Sequence, residues 1–181
     1  MNVLGIDTAT RGGSVALARP EGIVALRGLA ERGRHARDLL ARVDGMLAET
    51  SLRPADLSGI AVTVGPGSFT GVRIGMATAK GLAYSLDVPL FGLSTLEALA
   101  RAALLERRDL PRRLCAAIEA GRGEVYAALF RLEAGELQRE MEDRSWRPSA
   151  LVREVQRGTP VVGDAAATLV RAARESGLDL E

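Results

Sequence analysis

The stretch GPGSFTGVRIGMATAKG, residues 65–81, follows directly on the apolar run IAVTV, residues 60–64. Five of its seventeen residues are glycine. A short unbroken apolar run bounded by turn residues reads as a strand covered on both faces. Gly65-Pro66-Gly67 reads as a sharp turn, where glycine takes positive φ and proline fixes its own. Ser68 or Thr70 is placed to cap a helix over 72–86. Gly71, Gly75, Ala79 and Ala83 recur every four residues and make one smooth stripe. Something packs very close to that stripe. The spacing leaves two candidates, the sheet beneath or a helix of another chain.

A glycine-rich turn between strand and helix is where phosphates often bind, because free N–H groups and the helix dipole converge there. The spacing here fits neither known cradle. A P-loop requires G-x-x-x-x-G-K-[ST], whereas Gly71 is followed by Val72 and Arg73. The dinucleotide fingerprint requires G-x-G-x-x-G, whereas Gly65, Gly67 and Gly71 give G-x-G-x-x-x-G.

Working outward, residues 2–7, 13–19 and 23–29 read as a three-strand meander broken at 10–12 and 20–22. A helix from Ala36 buries Leu39, Leu40, Val43, Met46 and Leu47 at spacings of three and four. Residues 89–94 form a strand and 95–105 a helix. ERRDLPRR, residues 106–113, breaks the composition and divides an N-terminal lobe (1–105) from a smaller C-terminal lobe (106–181). Strands over 113–120 and 124–132, joined by a turn at 121–123, open the second lobe. A third strand at 137–144 follows, then helices at 148–156 and 165–176 with the strand TPVVG (159–163) between them. Each half therefore opens on strands and then alternates helix with strand. That order gives an α/β chain with a mixed sheet in each lobe, flanked by helices, in an actin-like or ribonuclease-H-like arrangement.

The composition narrows the function. The chain has 181 residues, 47% apolar but only 3% aromatic, so its core is aliphatic. The net charge of +1 sets up no field toward nucleic acid or anionic lipid. A single histidine, His35, excludes a histidine-rich metal site within the chain. A single cysteine, Cys115, excludes an internal disulfide and fits a reducing cytoplasm. The N-terminus lacks a signal-peptide pattern, and no apolar run is long enough to span a bilayer. Ser68 has no histidine–carboxylate partners in any recognisable motif, so a serine-nucleophile reading fails.

GIDTAT near the start, RHARDLL, the block GPGSFTGVRIGMATAKGLAYSLDVPLFGLSTLEALA and GRGEVYAALF occur in that order. The set resembles the bacterial TsaB (YeaZ) family of tRNA threonylcarbamoyladenosine biosynthesis proteins. The resemblance is clear over about residues 1–130 and loose beyond 133. It implies the actin-like fold and a non-catalytic subunit that supports a larger catalytic TsaD-type chain. A TsaE-type ATPase joins them, and the complex installs N6-threonylcarbamoyl groups on the adenosine beside the anticodon. No cofactor is expected in this chain, since ATP and metal belong to the partners. Transfer RNA is met mainly through the complex, and a homodimer is an alternative assembly.

The resemblance also places residues. It assigns the first long helix and the helix after the glycine loop to a subunit interface, carried here by His35, Leu39, Val43, Arg73, Gly75, Met76, Ala79 and Ala83. Gly65, Pro66, Gly67 and Gly71 form the turn. In actin-like ATPases an Asp at the end of the first strand faces metal-bound phosphates. Asp7 and Thr8 thus offer a vestigial nucleotide site, against the plainer reading that they satisfy local backbone donors. Catalytic relatives carry His-x-x-x-His where this chain has Ser94-Thr95-Leu96-Glu97-Ala98, and Glu97 alone cannot hold a catalytic ion. The competing functional class is an enzyme of the same fold, a weak stand-alone ATPase or an M22-like protease.

Further residues are weaker candidates. Arg73 sits in the first turn of its helix, where a cation opposes the dipole, and Lys80 lies further along. Arg107, Arg108, Arg112 and Arg113 offer charge to phosphate but no interleaved aromatics. Glu119, Arg122 and Glu124 flank the turn of the second-lobe hairpin. Relatives run on for some dozens of residues past the position of Glu181, and any apolar surface that residues 133–181 expose would favour self-association.

Overall fold

The computed structural model describes residues 1–29, 35–107 and 111–180, with the backbone alone described at 35–37. Two compact units emerge, Met1–Thr95 and Leu96–Glu181. The division falls before the last helix assigned to the N-terminal lobe, because that helix packs on the second sheet.

The first unit holds β1 (Val3–Asp7), β2 (Ser14–Arg19), β3 (Gly22–Gly28), α1 (His35–Glu49), a 3-10 turn (Pro54–Asp56), β4 (Gly59–Thr63), α2 (Phe69–Leu86) and β5 (Leu90–Leu93). The strand order is β3-β2-β1-β4-β5. The three meander strands are antiparallel, whereas β4 pairs parallel with β1 and β5 parallel with β4. Leu4, Ile6, Val15, Leu17, Ile60 and Val62 alternate along their strands and point to one face. There they meet Leu39, Val43, Met46 and Leu47 of α1 and Ala79 and Ala83 of α2. Burying each large aliphatic side chain contributes about 1.5–3 kcal/mol. Covering on both faces, expected for 60–64, is incomplete: Ile60, Val62 and Thr63 are buried, whereas Val64 is 45% exposed. Ala61 points to the other face and stays part-exposed.

The second unit holds α3 (Thr95–Glu106), whose body from Leu96 belongs here. It continues with β6 (Arg113–Gly121), β7 (Glu124–Glu133), β8 (Glu136–Trp146), α4 (Pro148–Leu151), β9 (Val161–Val162) and α5 (Ala166–Glu175). Its sheet runs β8-β7-β6-β9, with β9 parallel to β6 and the rest antiparallel. The order repeats β3-β2-β1-β4, so the two sheets share one topology, as in the actin-like fold. Cys115, Ala117, Val125 and Ala127 face α4 and α5. On the opposite face Leu114, Ala116, Ile118, Ala128 and Phe130 meet Leu96 and Ala100 of α3.

Several elements differ from the sequence reading. The strand expected at 137–144 is present as β8 and extends to eleven residues, its charged sequence suiting an edge strand that keeps polar groups on both sides. The helix expected at 148–156 stops at Leu151, and TPVVG contributes only two strand residues. Among the described residues of 133–181, no large apolar side chain is exposed. The large exposed apolar side chains lie at Met1, Ile23, Val24, Leu26, Leu40, Val64, Phe69, Tyr84, Phe91 and Leu105. Among the described residues, no helix is long and apolar enough to cross a membrane.

Candidate functional site

The glycine loop is built as its sequence demands. Gly65 has φ +112° and Gly67 φ +154°, and the Gly65–Pro66 peptide is cis. A Cβ at Gly67 would collide with the Ala9 carbonyl, so this turn closes only on glycine. Ser68 caps α2, its Oγ accepting from the Gly71 amide at 3.2 Å. The Ser68 amide donates to the Ala9 carbonyl at 2.8 Å. The β1–β2 turn is thereby bound against the start of α2. Gly71 belongs to the first helical turn rather than to the loop, and it is buried.

Asp7 and Thr8 stand at this junction, and their polar atoms are engaged. The Asp7 carboxylate accepts from the Ala9 amide at 3.0 Å, the Thr10 hydroxyl at 2.6 Å and the Thr63 hydroxyl at 2.7 Å. Thr8, 1% exposed, donates its hydroxyl to the Gly71 carbonyl at 2.7 Å. The arrangement satisfies local donors, as the plainer reading of these two residues requires.

The small-residue stripe faces inward. A Cβ on Gly71 would strike the Thr8 carbonyl, and one on Gly75 would strike the Thr8 hydroxyl. Ala79 is 0% exposed and Ala83 is buried in the same core, as are Leu39 and Val43 of α1. The assignment of Leu39, Val43, Gly75, Ala79 and Ala83 to a partner contact is therefore corrected. These side chains are buried where α1 and α2 close onto their own sheet. Met76 is half-buried against the same core. Arg73 alone of the assigned α2 residues is exposed, its guanidinium stacked 3.7 Å over the Phe69 ring. That cation–π contact explains how a cation is tolerated in the first turn. The His35 side chain lies outside the described residues. The outward face of α2 presents Phe69, Arg73, Ala77, Lys80 and Tyr84, with Tyr84 90% exposed. Spacing by three and four in mixed aromatic and basic residues could have revealed this face.

The family described as TsaD, tRNA N6-adenosine threonylcarbamoyltransferase, matches residues 28–172. The tRNA threonylcarbamoyladenosine biosynthesis protein TsaB of Bacillus subtilis is 35% identical over 145 residues, 80% of this chain and 62% of that protein. TsaB of Escherichia coli is 41% identical over 130 residues, 72% of this chain and 55% of its own length. The solved structure of YeaZ from Pseudomonas aeruginosa superposes with a TM-score of 0.72 at 33% identity, covering 82% of this chain and 68% of that one.

The chain belongs to the TsaB (YeaZ) family. It spans a little over half of the length of the two curated TsaB relatives above.

In this TsaB-family chain the stretch 94–98 opens α3. Glu97 accepts from Arg101 Nη2 at 2.8 Å and from Arg139 Nη2 at 3.3 Å. The Arg101 hydrogen bond is the main cause that holds its carboxyl below the usual carboxylate range, against a smaller opposing effect of burial. Among the described residues, no three His, Cys, Asp or Glu side chains are grouped to hold a metal ion. In the β6–β7 hairpin, Arg122 and Glu124 line an open cleft of about 530 Å³ with Tyr126 and Ser145. Glu119 is used elsewhere, accepting from the Thr168 hydroxyl at 2.7 Å. Of the arginine cluster, Arg113 is paired with Glu140 at 2.6 Å, and Arg108 lies outside the described residues. Cys115 is fully buried, and burial pushes its thiol up to about 12.

Proposed function

We propose that this chain is a non-catalytic accessory subunit in the formation of N6-threonylcarbamoyladenosine on tRNA. It binds a catalytic TsaD-type subunit and acts with a TsaE-type ATPase in the cytoplasm. ATP and metal are held by those partners, and tRNA is met through the assembled complex. Family membership supports the pathway. The observation that carries the non-catalytic role is at 94–98, where Glu97 is committed to Arg101 and Arg139 and no imidazole is present. The engagement of the Asp7 carboxylate by three local donors argues in the same direction against a stand-alone ATPase.

The partner-facing surface is reassigned to the outward side of α2, with Phe69, Arg73, Lys80 and Tyr84, and to Leu40 of α1, which is 48% exposed. A large aromatic at 90% exposure beside basic side chains has the composition of an interface anchor. The test is a reconstitution of catalytic subunit, ATPase, threonylcarbamoyl donor and tRNA, with and without this chain. Labelled threonine on tRNA is counted. Product that depends on this chain supports the reading; equal product without it overturns it. ATP hydrolysis by the purified chain alone, lost in Asp7→Ala, would instead establish the ATPase.

A further inference from the structure

The outward side of α2 holds a localised charge. No Asp or Glu occurs between Asp56 and Asp87, in a chain that has 23 of them. Arg73 and Lys80 are thus the only charged side chains of the helix. Both are exposed, and among the described residues neither is paired with a carboxylate. Arg73 is the better defined of the two. Its guanidinium lies 3.7 Å over the centre of the Phe69 ring. Phe69 is 69% exposed, so burial in the core does not account for the ring, and its described contact is with the cation.

A guanidinium is planar and carries five N–H donors in a fixed fork. The stack occupies one face of that plane and leaves the donors at its edge open, since none of them is used by a described residue. An exposed arginine ordinarily loses rotamer freedom when it binds. Here Phe69 already fixes the orientation, so the fork is set for a planar acceptor with two oxygens. A carboxylate is such a group. Arg73 also stands near the N-terminal end of α2, where the helix dipole disfavours a cation, and a bound carboxylate would relieve that cost.

We propose, resting on the accessory-subunit reading above, that Arg73, held by Phe69, receives a carboxylate of the catalytic TsaD-type partner in a two-pronged ion pair. Tyr84 lies on the same side of α2, about 16 Å further along the helix axis. The partner therefore presents an acidic side chain about 16 Å from the pocket that takes Tyr84. Transfer RNA is the less fitting source of the anion. Two cations release few counterions, on which affinity for a phosphate backbone depends, and one face of the Phe69 ring is already covered by Arg73 rather than offered to a base.

The test is calorimetric titration of the full chain into purified TsaD-type subunit, at low and at high NaCl. Arg73→Gln should weaken binding about tenfold at low salt. Arg73→Lys should weaken it nearly as much, since lysine keeps the charge but not the fork. The affinity of the parent should fall with NaCl more steeply than that of Arg73→Gln. Phe69→Leu frees the guanidinium and should weaken binding about threefold or more. Combined with Arg73→Gln it should add little, because Phe69 acts through Arg73. Both positions are exposed, and melting temperatures check that each variant folds. Arg73→Lys equal to the parent, additive losses in the double variant, or no effect of Arg73→Gln where Tyr84→Glu abolishes binding would each overturn the proposal and leave the accessory-subunit reading standing. Binding of tRNA to the chain alone, abolished by Arg73→Gln, would overturn it by giving Arg73 to phosphate. Failure of the parent chain to bind the catalytic subunit would overturn the reading and the proposal together.

Discussion

The Thr8 hydroxyl occupies the space that a Cβ on Gly75 would need, while donating to the Gly71 carbonyl at 2.7 Å. One polar atom thus ties the end of β1 to α2 and forbids a side chain there. Gly75→Ala should destabilise the chain by about 1–3 kcal/mol through overpacking. Thr8→Ala should cost about 1 kcal/mol for the lost hydrogen bond. The two changes should be strongly non-additive, because removing the hydroxyl makes room for the new methyl group. Denaturant unfolding of the two single variants and the double variant checks this. Additive losses would mean the clash is relieved elsewhere.

Large substitutions on the two faces of α2 should have opposite signatures. Ala79→Leu puts three more carbons into a site that is 0% exposed, and should lower stability by about 1–3 kcal/mol or prevent folding. Tyr84→Glu, at a side chain 90% exposed, should leave stability within about 0.5 kcal/mol and abolish capture of the catalytic subunit. Thermal unfolding beside a pull-down with purified TsaD-type protein separates them. Loss of binding in Ala79→Leu with an unchanged melting temperature would restore the stripe to the interface.

Much of this was legible in the sequence, and the failures have physical causes. The strand run 60–64, the turn at Gly65–Gly67 and the Ser68 cap follow from local chemistry, which a sequence displays directly. The direction of the Gly71–Ala83 stripe does not. Small residues every four positions mean close approach, and a sheet of the same chain satisfies that as well as a foreign helix. The ends of β8 were less legible than its middle, because cross-strand pairs such as Arg131–Glu140 replace apolar alternation at a sheet edge.

Asp7 should behave as a structural acceptor. Asp7→Ala removes the partner of the Thr63 hydroxyl, a residue 5% exposed, and of two further donors. The expected loss is about 2–3 kcal/mol, the scale for a part-buried carboxylate with several hydrogen bonds. Adding ATP with magnesium should not raise the melting temperature of the unmodified chain. A rise that disappears in Asp7→Asn would show that nucleotide competes successfully for the carboxylate.

Glu97 gives a prediction with a pH sign. Its folded-state pKa lies below the ordinary value of 4.5, chiefly because Arg101 donates to it, with Arg139 adding to the effect. A depressed carboxylate pKa contributes stability that is fully present above the unfolded value and is lost as pH falls through the folded one. Glu97→Gln should therefore be less stable than the parent at pH 7, by about 0.5–1 kcal/mol for a pair with one-third of the carboxylate side chain exposed. The difference should shrink as pH falls below about 4.5 and vanish once the parent carboxylate is protonated. Melting temperatures of both proteins from pH 7 down to acid unfolding measure the gap. A gap that stays constant with pH would mean that the substitution acts through packing at the start of α3 rather than through the charge of Glu97.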